Sequence, residues 1–223
     1  MTTTLVAGAN RGIGLALTQR CLERGDEVIA ACRNSNEDLD RSGARVETGV
    51  DVTDADALAA LARKLEGRRI DRLLLNAGVM TREALGKIDE AGFDAMRRQF
   101  EINSLGPLRV AQALLGNLGE GSKIGILTSR MGSVADNGSG GYYGYRASKA
   151  AANAIGKSLA VDLQPRGIAV FLLHPGYVAT DMVGGKGDLT PMQSAGMLLD
   201  RLDQLGLAQS GSFWHANGSE LPW

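Results

Sequence analysis

The shortages in this chain exclude several function classes. It has only two cysteines, Cys21 and Cys32, in 223 residues. Their spacing suits neither a disulfide framework nor a zinc site, so both read as small core residues. The two histidines, His174 and His215, lie far apart in sequence, and no metal site is expected. Aromatic residues make up 4% of the chain, which speaks against a site built to stack large planar substrates. The formal net charge is −1 with no block of like charge. Binding to nucleic acid or to an anionic membrane through bulk charge is therefore not expected. No apolar run approaches the roughly 20 residues needed to span a bilayer. The start, MTTTLVAGANRGIG, lacks the basic and apolar segments of a signal peptide. A cytoplasmic location is the default expectation.

Glycine is in excess, with 30 residues against an average usage of about 7%. Many glycines follow apolar runs, where a backbone must turn tightly or approach something closely. Hydrophobic residues make up 44% and charged residues 22%, enough for a real core. Strand-like and helix-like segments alternate along the chain. TTLVAG, EVIAAC, RVETGVD, DRLLLNAG, KIGILTS and IAVFLLHPG read as strands, with GSFWHANG as a short last one. Helices are predicted from Ile13 to Glu23, over DADALAALARKLE, over 90–118 with a kink at Gly106-Pro107, and after Tyr145. This alternation predicts one α/β domain over 1–223, a Rossmann-type doubly wound parallel sheet with helices on both faces. Ligands of such sheets bind at the carboxyl ends of the strands.

The first strand runs into VAGANRGIG, which places Gly8, Gly12 and Gly14 just before a helix. Glycines there let a pyrophosphate approach the backbone, and the helix N-terminus offers N–H groups and partial positive charge. The spacing is G-x-x-x-G-x-G rather than the more familiar G-x-G-x-x-G. Asn10, Arg11 and Ile13 fill the turn. The second strand ends in AACRN without the acid that would bind NAD ribose hydroxyls. Arg33 stands there instead, and with Arg11 it suits an extra 2′-phosphate. NADP(H) is preferred on this reading, with NAD(H) possible.

Tyr145 and Lys149 sit four apart in YRASK, on one face of a helix. An ammonium near a phenol favours the phenolate and would lower the Tyr pKa, making a proton donor usable near neutral pH.

These pieces, taken with four others in order, resemble the short-chain dehydrogenase/reductase family along essentially the whole chain. The others are Asp51-Val52 after the third strand, Asn76-Ala77-Gly78 after the fourth, Asn103 in FEINSLGP, and Pro175-Gly176-Tyr177-Val178-Ala179-Thr180. Within the family, SRMGSVADNGSGGYYGYRASK and the ending SGSFWHANGSELPW resemble the short C-factor-like and carbonyl-reductase-like members. The family's catalytic serine matches Ser129, by the strand before it and Gly132 after it. Ser133 lies nearer the family's usual distance from the tyrosine, but DNGSGGY reads as a small insertion.

The resemblance implies a tetrad of Asn103, Ser129, Tyr145 and Lys149. Tyr145 would be the general acid, Ser129 would donate to the carbonyl oxygen, and Asn103 would hold a relay water. Lys149 would also bind the nicotinamide ribose. Asp51 and Val52 would flank adenine, or Asp51 would cap the next helix with Thr53. The Asn76-Ala77-Gly78 backbone would pass the adenine-side ribose, with Asn76 also tying neighbouring strands. Val178 and Thr180 would hold the carboxamide, after a turn at Pro175-Gly176. A short lid is expected at about 181–205, with Met80, Met131, Tyr177, Met182 and Val183 as pocket walls. His174 reads as structural. A homodimer or homotetramer is expected through the Ala-rich helix and the long helix before it. The implied function is NADP(H)-dependent reduction of an aldehyde, ketone or quinone. The alternative is a C-factor-like signalling or nucleotide-sensing protein, for which a proton donor would be superfluous.

Overall fold

In the computed structural model, which describes residues 1–223, the apolar runs pair as seven parallel strands. They are β1 Thr3–Ala7, β2 Glu27–Ala31, β3 Arg45–Glu47, β4 Arg72–Leu75, β5 Lys123–Leu127, β6 Ala169–His174 and β7 Phe213–His215. Their spatial order is 3-2-1-4-5-6-7. Leu5 of β1 lies beside Ile29 on one side and Leu73 on the other. The winding reverses between β1 and β4, and that reversal opens a crevice at the carboxyl ends of the strands.

The period-two alternation of the strands sorts side chains into two cores. Leu5, Ile29, Leu73, Ile124 and Leu172 face one layer, with α3 (Ala55–Lys64), α5 (Gly106–Ala113) and α6 (Tyr143–Leu163). Val6, Val28, Leu74, Leu127 and Phe171 face the other, with α1 (Gly12–Glu23) and α7 (Pro191–Gln204). The short α2 is Glu37–Asp40, and α4 (Glu90–Phe100) packs beside α6. The fold is the expected Rossmann-type doubly wound sheet. No helix is long and apolar enough to cross a membrane.

Two segments differ from expectation. The helix predicted over 90–118 is interrupted after α4 by one π turn, Glu101–Leu105, before α5 resumes. The cause is local: Pro107 has no N–H to offer the carbonyls of Ile102 and Asn103, five and four residues back. Asn103 therefore sits in a widened turn. The segment 181–205 divides in two. Residues 181–190 are a 3₁₀ turn, Asp181–Val183, and irregular chain that folds back to bridge Leu189 with Val178. Pro191–Gln204 is instead the core helix α7, started by a capping box of Thr190 and Gln193. Leu198, Leu199 and Leu202 are buried in the core shared with α1. The Gly-rich start of the segment hides this helical period.

Candidate active site

The glycine turn between β1 and α1 closes on itself. Gly8 takes a left-handed φ of +84°. A Cβ at Gly14 would lie 2.0 Å from the Gly8 carbonyl oxygen. Only a bare backbone fits there. Asn76 Nδ2 donates to that same oxygen at 2.8 Å, so Asn76 ties the exit of β4 to the turn. Arg11 precedes α1 without capping it through its side chain, and the first turn of α1 carries no acid. The helix N-terminus therefore presents unpaired N–H groups and the positive end of its dipole to the crevice. Backbone cradle and open helix end together fit a pyrophosphate.

A cleft of about 210 Å³ runs from this turn to the end of β2. Gly8, Asn10, Arg11, Gly12, Ile13, Arg33, Asp51, Val52, Asn76, Ala77, Gly78 and Thr180 all line it. Cys32, Asn34, Val79 and Ile102 also line it and carried no sequence signal, since their placing depends on how β2, β4 and the π turn converge. Arg33 lies 4.0 Å from Asp51, and Arg11 lies 3.9 Å from Asp181, both as exposed pairs. Asp51 does not cap α3. It accepts from Thr53 N at 2.9 Å and Thr53 Oγ1 at 2.7 Å, while Asp54 receives the helix N–H groups. The Thr53 backbone N–H is the main reason its carboxyl sits below the usual carboxylate range.

Ile13, Asn76, Gly78, Thr180 and Met182 line this cleft and also a second cavity of about 530 Å³, so the two are continuous. Ser129, Tyr145 and Lys149 line the second cavity. The 3₁₀ turn Arg130–Gly132 presses against α6, where a Cβ at Gly132 would come within 2.7 Å of the Lys149 backbone. This contact holds Ser129 beside Tyr145, close enough for the serine hydroxyl to bear on the phenol's ionisation, while Ser129 Oγ accepts from Met131 N at 3.1 Å. Ser133 turns away. Its hydroxyl donates to the Trp223 main-chain oxygen and accepts from Asp136 N, both at 3.1 Å. Geometry thus brings Ser129, not Ser133, to the tyrosine.

Lys149 is 5% exposed and donates from Nζ to the Leu127 carbonyl at 2.8 Å. Burial pushes its pKa down to about 8. Its ammonium stands 5.9 Å from the Tyr145 ring centroid. Tyr145 itself is not lowered, contrary to the expectation from the sequence. Burial raises it, and only the nearby Ser129 hydroxyl opposes the rise. Desolvation wins because the ammonium is turned to a carbonyl instead of the phenol oxygen. Asn103 is also fully engaged: Oδ1 accepts from Val79 N and Nδ2 donates to Val79 O, each at 2.8 Å, with Ser148 Oγ at 3.0 Å. Its side chain clamps the exit of β4 onto α6 and leaves only its main chain to hold a water.

Met80, Met131, Tyr177, Met182 and Val183 line the second cavity, as do Pro175, Gly176 and Val178. So do Arg82, Arg130, Arg146, Asp136 and Tyr142, none of which the sequence singled out as a site residue. His174 also reaches it, with Nδ1 buried and unpartnered. Burial, then the nearby His215, push His174 down to about 3, so it is neutral at physiological pH.

The sequence profile of the short chain dehydrogenase family matches residues 2–189. The chain is 45% identical over 229 aligned positions to 1-hydroxy-2-glutathionyl-2-methyl-3-butene dehydrogenase of Rhodococcus sp. strain AD45, covering 100% of both chains. It is also 45% identical to C-signal of Myxococcus xanthus, over 69% of this chain and 93% of that one. The crystal structure of NADPH-bound carbonyl reductase from chicken fatty liver is similar with a TM-score of 0.89 at 28% identity, covering 100% of this chain and 99% of that one. With its winding order, glycine turn and cleft, the chain belongs to the short-chain dehydrogenase/reductase family and is an NAD(P)-dependent oxidoreductase of that family.

Proposed function

We propose that this oxidoreductase is an NADP(H)-dependent carbonyl reductase in which Tyr145 is the general acid. The observation that carries the reading is the convergence of Ser129, Tyr145 and Lys149 in one cavity continuous with the glycine cradle. The nicotinamide, when bound, supplies hydride to a carbonyl carbon or takes it from an alcohol. Ser129 donates to the carbonyl oxygen as charge develops on it. Tyr145 delivers the proton that completes the alcohol. Its raised pKa keeps it protonated and able to donate at neutral pH. Lys149 binds the nicotinamide ribose and returns a proton to Tyr145, drawing on water held at the main chain of Asn103. The uncapped α1 N-terminus, Gly8, Asn10, Gly12 and Ile13 hold the pyrophosphate. Arg33 and Arg11 take the 2′-phosphate, Asp51 and Val52 the adenine, and Ala77 and Gly78 the ribose beside it. Thr180 and Val178, after the Pro175-Gly176 turn, fix the carboxamide.

The similarity to the Rhodococcus enzyme supports an alcohol bearing a glutathionyl group as a substrate for the reverse reaction, with the same residues acting. The similarity to C-signal supports a second reading, a signalling or nucleotide-sensing protein. The buried proton donor favours the enzyme. Subunits pair through α4 and α6, where Phe93 and Phe100, seven apart on one face, and Val161 are exposed.

The test is NADPH oxidation by the purified protein against a panel of small carbonyls and quinones, beside Tyr145→Phe. Loss of about 10²–10⁴-fold in kcat for the variant, with cofactor affinity kept, is expected. Normal turnover by Tyr145→Phe would refute the assignment.

A further inference from the structure

The charges around the 530 Å³ cavity do not balance. Its ionisable walls are Arg82, Arg130, Arg146, Asp136 and Lys149 besides the tyrosines and the neutral His174. Arg130 and Asp136 cancel, since both Nε and Nη2 of the arginine bind the two carboxylate oxygens. Lys149 is buried at the reacting end. Arg146, one residue beyond Tyr145, folds back over the loop after Ser129. It donates to Met131 O and Gly140 O, each at 3.3 Å, and to Ser139 Oγ at 2.7 Å. All three acceptors are neutral, so the guanidinium is oriented without being neutralised. Arg82 has no hydrogen bond or ion pair, and its guanidinium lies 5.7 Å from the Tyr142 ring centroid. A planar cation on an aromatic face is held in place with its N–H edge still free.

The Tyr142 platform is itself unusual. It is the one non-glycine residue with positive φ, at +52°, a conformation disfavoured for any residue with a Cβ. Such outliers persist where the surroundings over-determine them, and they gather at ligand sites. Glu83, the nearest acid in sequence to Arg82, is occupied elsewhere. Its Oε2 accepts from Gly144 N at 3.1 Å, and its Oε1 takes Thr81 Oγ1 and Gln99 Nε2.

We propose that Arg82 and Arg146 form an anion subsite, and that the substrate carries a carboxylate at the end remote from its reacting carbon. This rests on Ser129 and Tyr145 being the reacting centre. A carboxylate matches the guanidinium fork and supplies the charge the wall lacks. Asp136, already paired, does not repel it.

The test uses a pair of probes that differ chiefly in charge, 6-oxohexanoate and its methyl ester, with NADPH as reductant. The expected ratio of kcat/KM, acid over ester, is about tenfold or more at low salt and shrinks as ionic strength rises. Arg82→Gln should lower that ratio about tenfold. Arg146→Gln should do the same, and Arg146→Lys should recover part of it. A wild-type ratio near one, or a high ratio that survives both glutamine variants, overturns the subsite. Turnover of neither probe would count against the reductase reading, and the subsite is then decided by calorimetry of adipate binding to the NADP⁺-loaded protein. Binding that weakens in Arg82→Gln upholds it, and no binding to the wild type overturns it. Arg82 is exposed, so its variant tests the proposal without endangering the fold.

Discussion

The two halves of the cleft are built from different material. The cofactor half is backbone: a glycine turn with no room for a Cβ, an open helix end and an asparagine tie. The substrate half is side chains: Ser129, Tyr145, Lys149, five methionine, valine and tyrosine walls beside them, and a rim of arginines. Backbone geometry admits almost no variation, because no substitution can move a carbonyl out of the way. Side chains can be exchanged one at a time. One fold therefore keeps its cofactor while its substrate changes.

Substitutions in the two halves should fail differently. A large effect is expected from Ser129→Ala, which on the proposed mechanism removes a donor to the developing oxyanion and should lower kcat about 10²–10³-fold. Ser133→Ala, beside it, should lose only about 1 kcal/mol of stability, from its bond to Trp223. Equal losses of kcat in the two would show that the serine was chosen wrongly.

Lys149→Met separates stability from activity. Folding lowers the lysine pKa from 10.5 to about 8, so the folded state disfavours its charge by about 3 kcal/mol at neutral pH. The unfolded chain binds more protons between those values, so the penalty is full below pH 8 and fades as pH rises towards 10.5. Lys149→Met should raise stability at pH 7 while abolishing turnover, with the gain shrinking above pH 8. Denaturation midpoints across pH check this, and a variant destabilised at every pH would contradict it.

In the cofactor half, Gly14→Ala forces its methyl onto the Gly8 carbonyl. A stability loss of about 1–3 kcal/mol is expected, together with weaker cofactor binding, read by thermal denaturation with and without NADPH. The smallest effect belongs to Arg33→Gln at the exposed mouth. It should weaken NADPH about tenfold and NADH hardly at all. Equal weakening of both would remove Arg33 from cofactor selection.

The contrast between the halves also explains what was legible beforehand. A backbone-built site leaves its mark as glycines at fixed spacing, so Gly8, Gly12, Gly14 and Asn76 could be read from the chain. Tyr145 and Lys149 were legible because one helix carries both. Ser129 was preferred to Ser133 on its neighbours in the chain, and the packing of Gly132 on α6 shows why it lies beside Tyr145 while Ser133 turns to Trp223. The state of Tyr145 was misjudged because helical spacing says nothing about where an ammonium turns. Arg82 lies 64 residues before Arg146, on a different element, and no local pattern joins them.

The sequence by itself determined the parallel sheet, the glycine turn and the placing of Tyr145 and Lys149 on one helix, because these follow from short-range periodicity and from the absence of side chains at chosen points. Only the tertiary structure decided the rest. It made half of the expected lid a core helix, tied the Asn103 side chain to Val79, raised the Tyr145 pKa and set two unneutralised arginines facing one cavity. Burial and charge balance are sums over neighbours drawn from the whole chain, and those neighbours exist only once the sheet has closed around them.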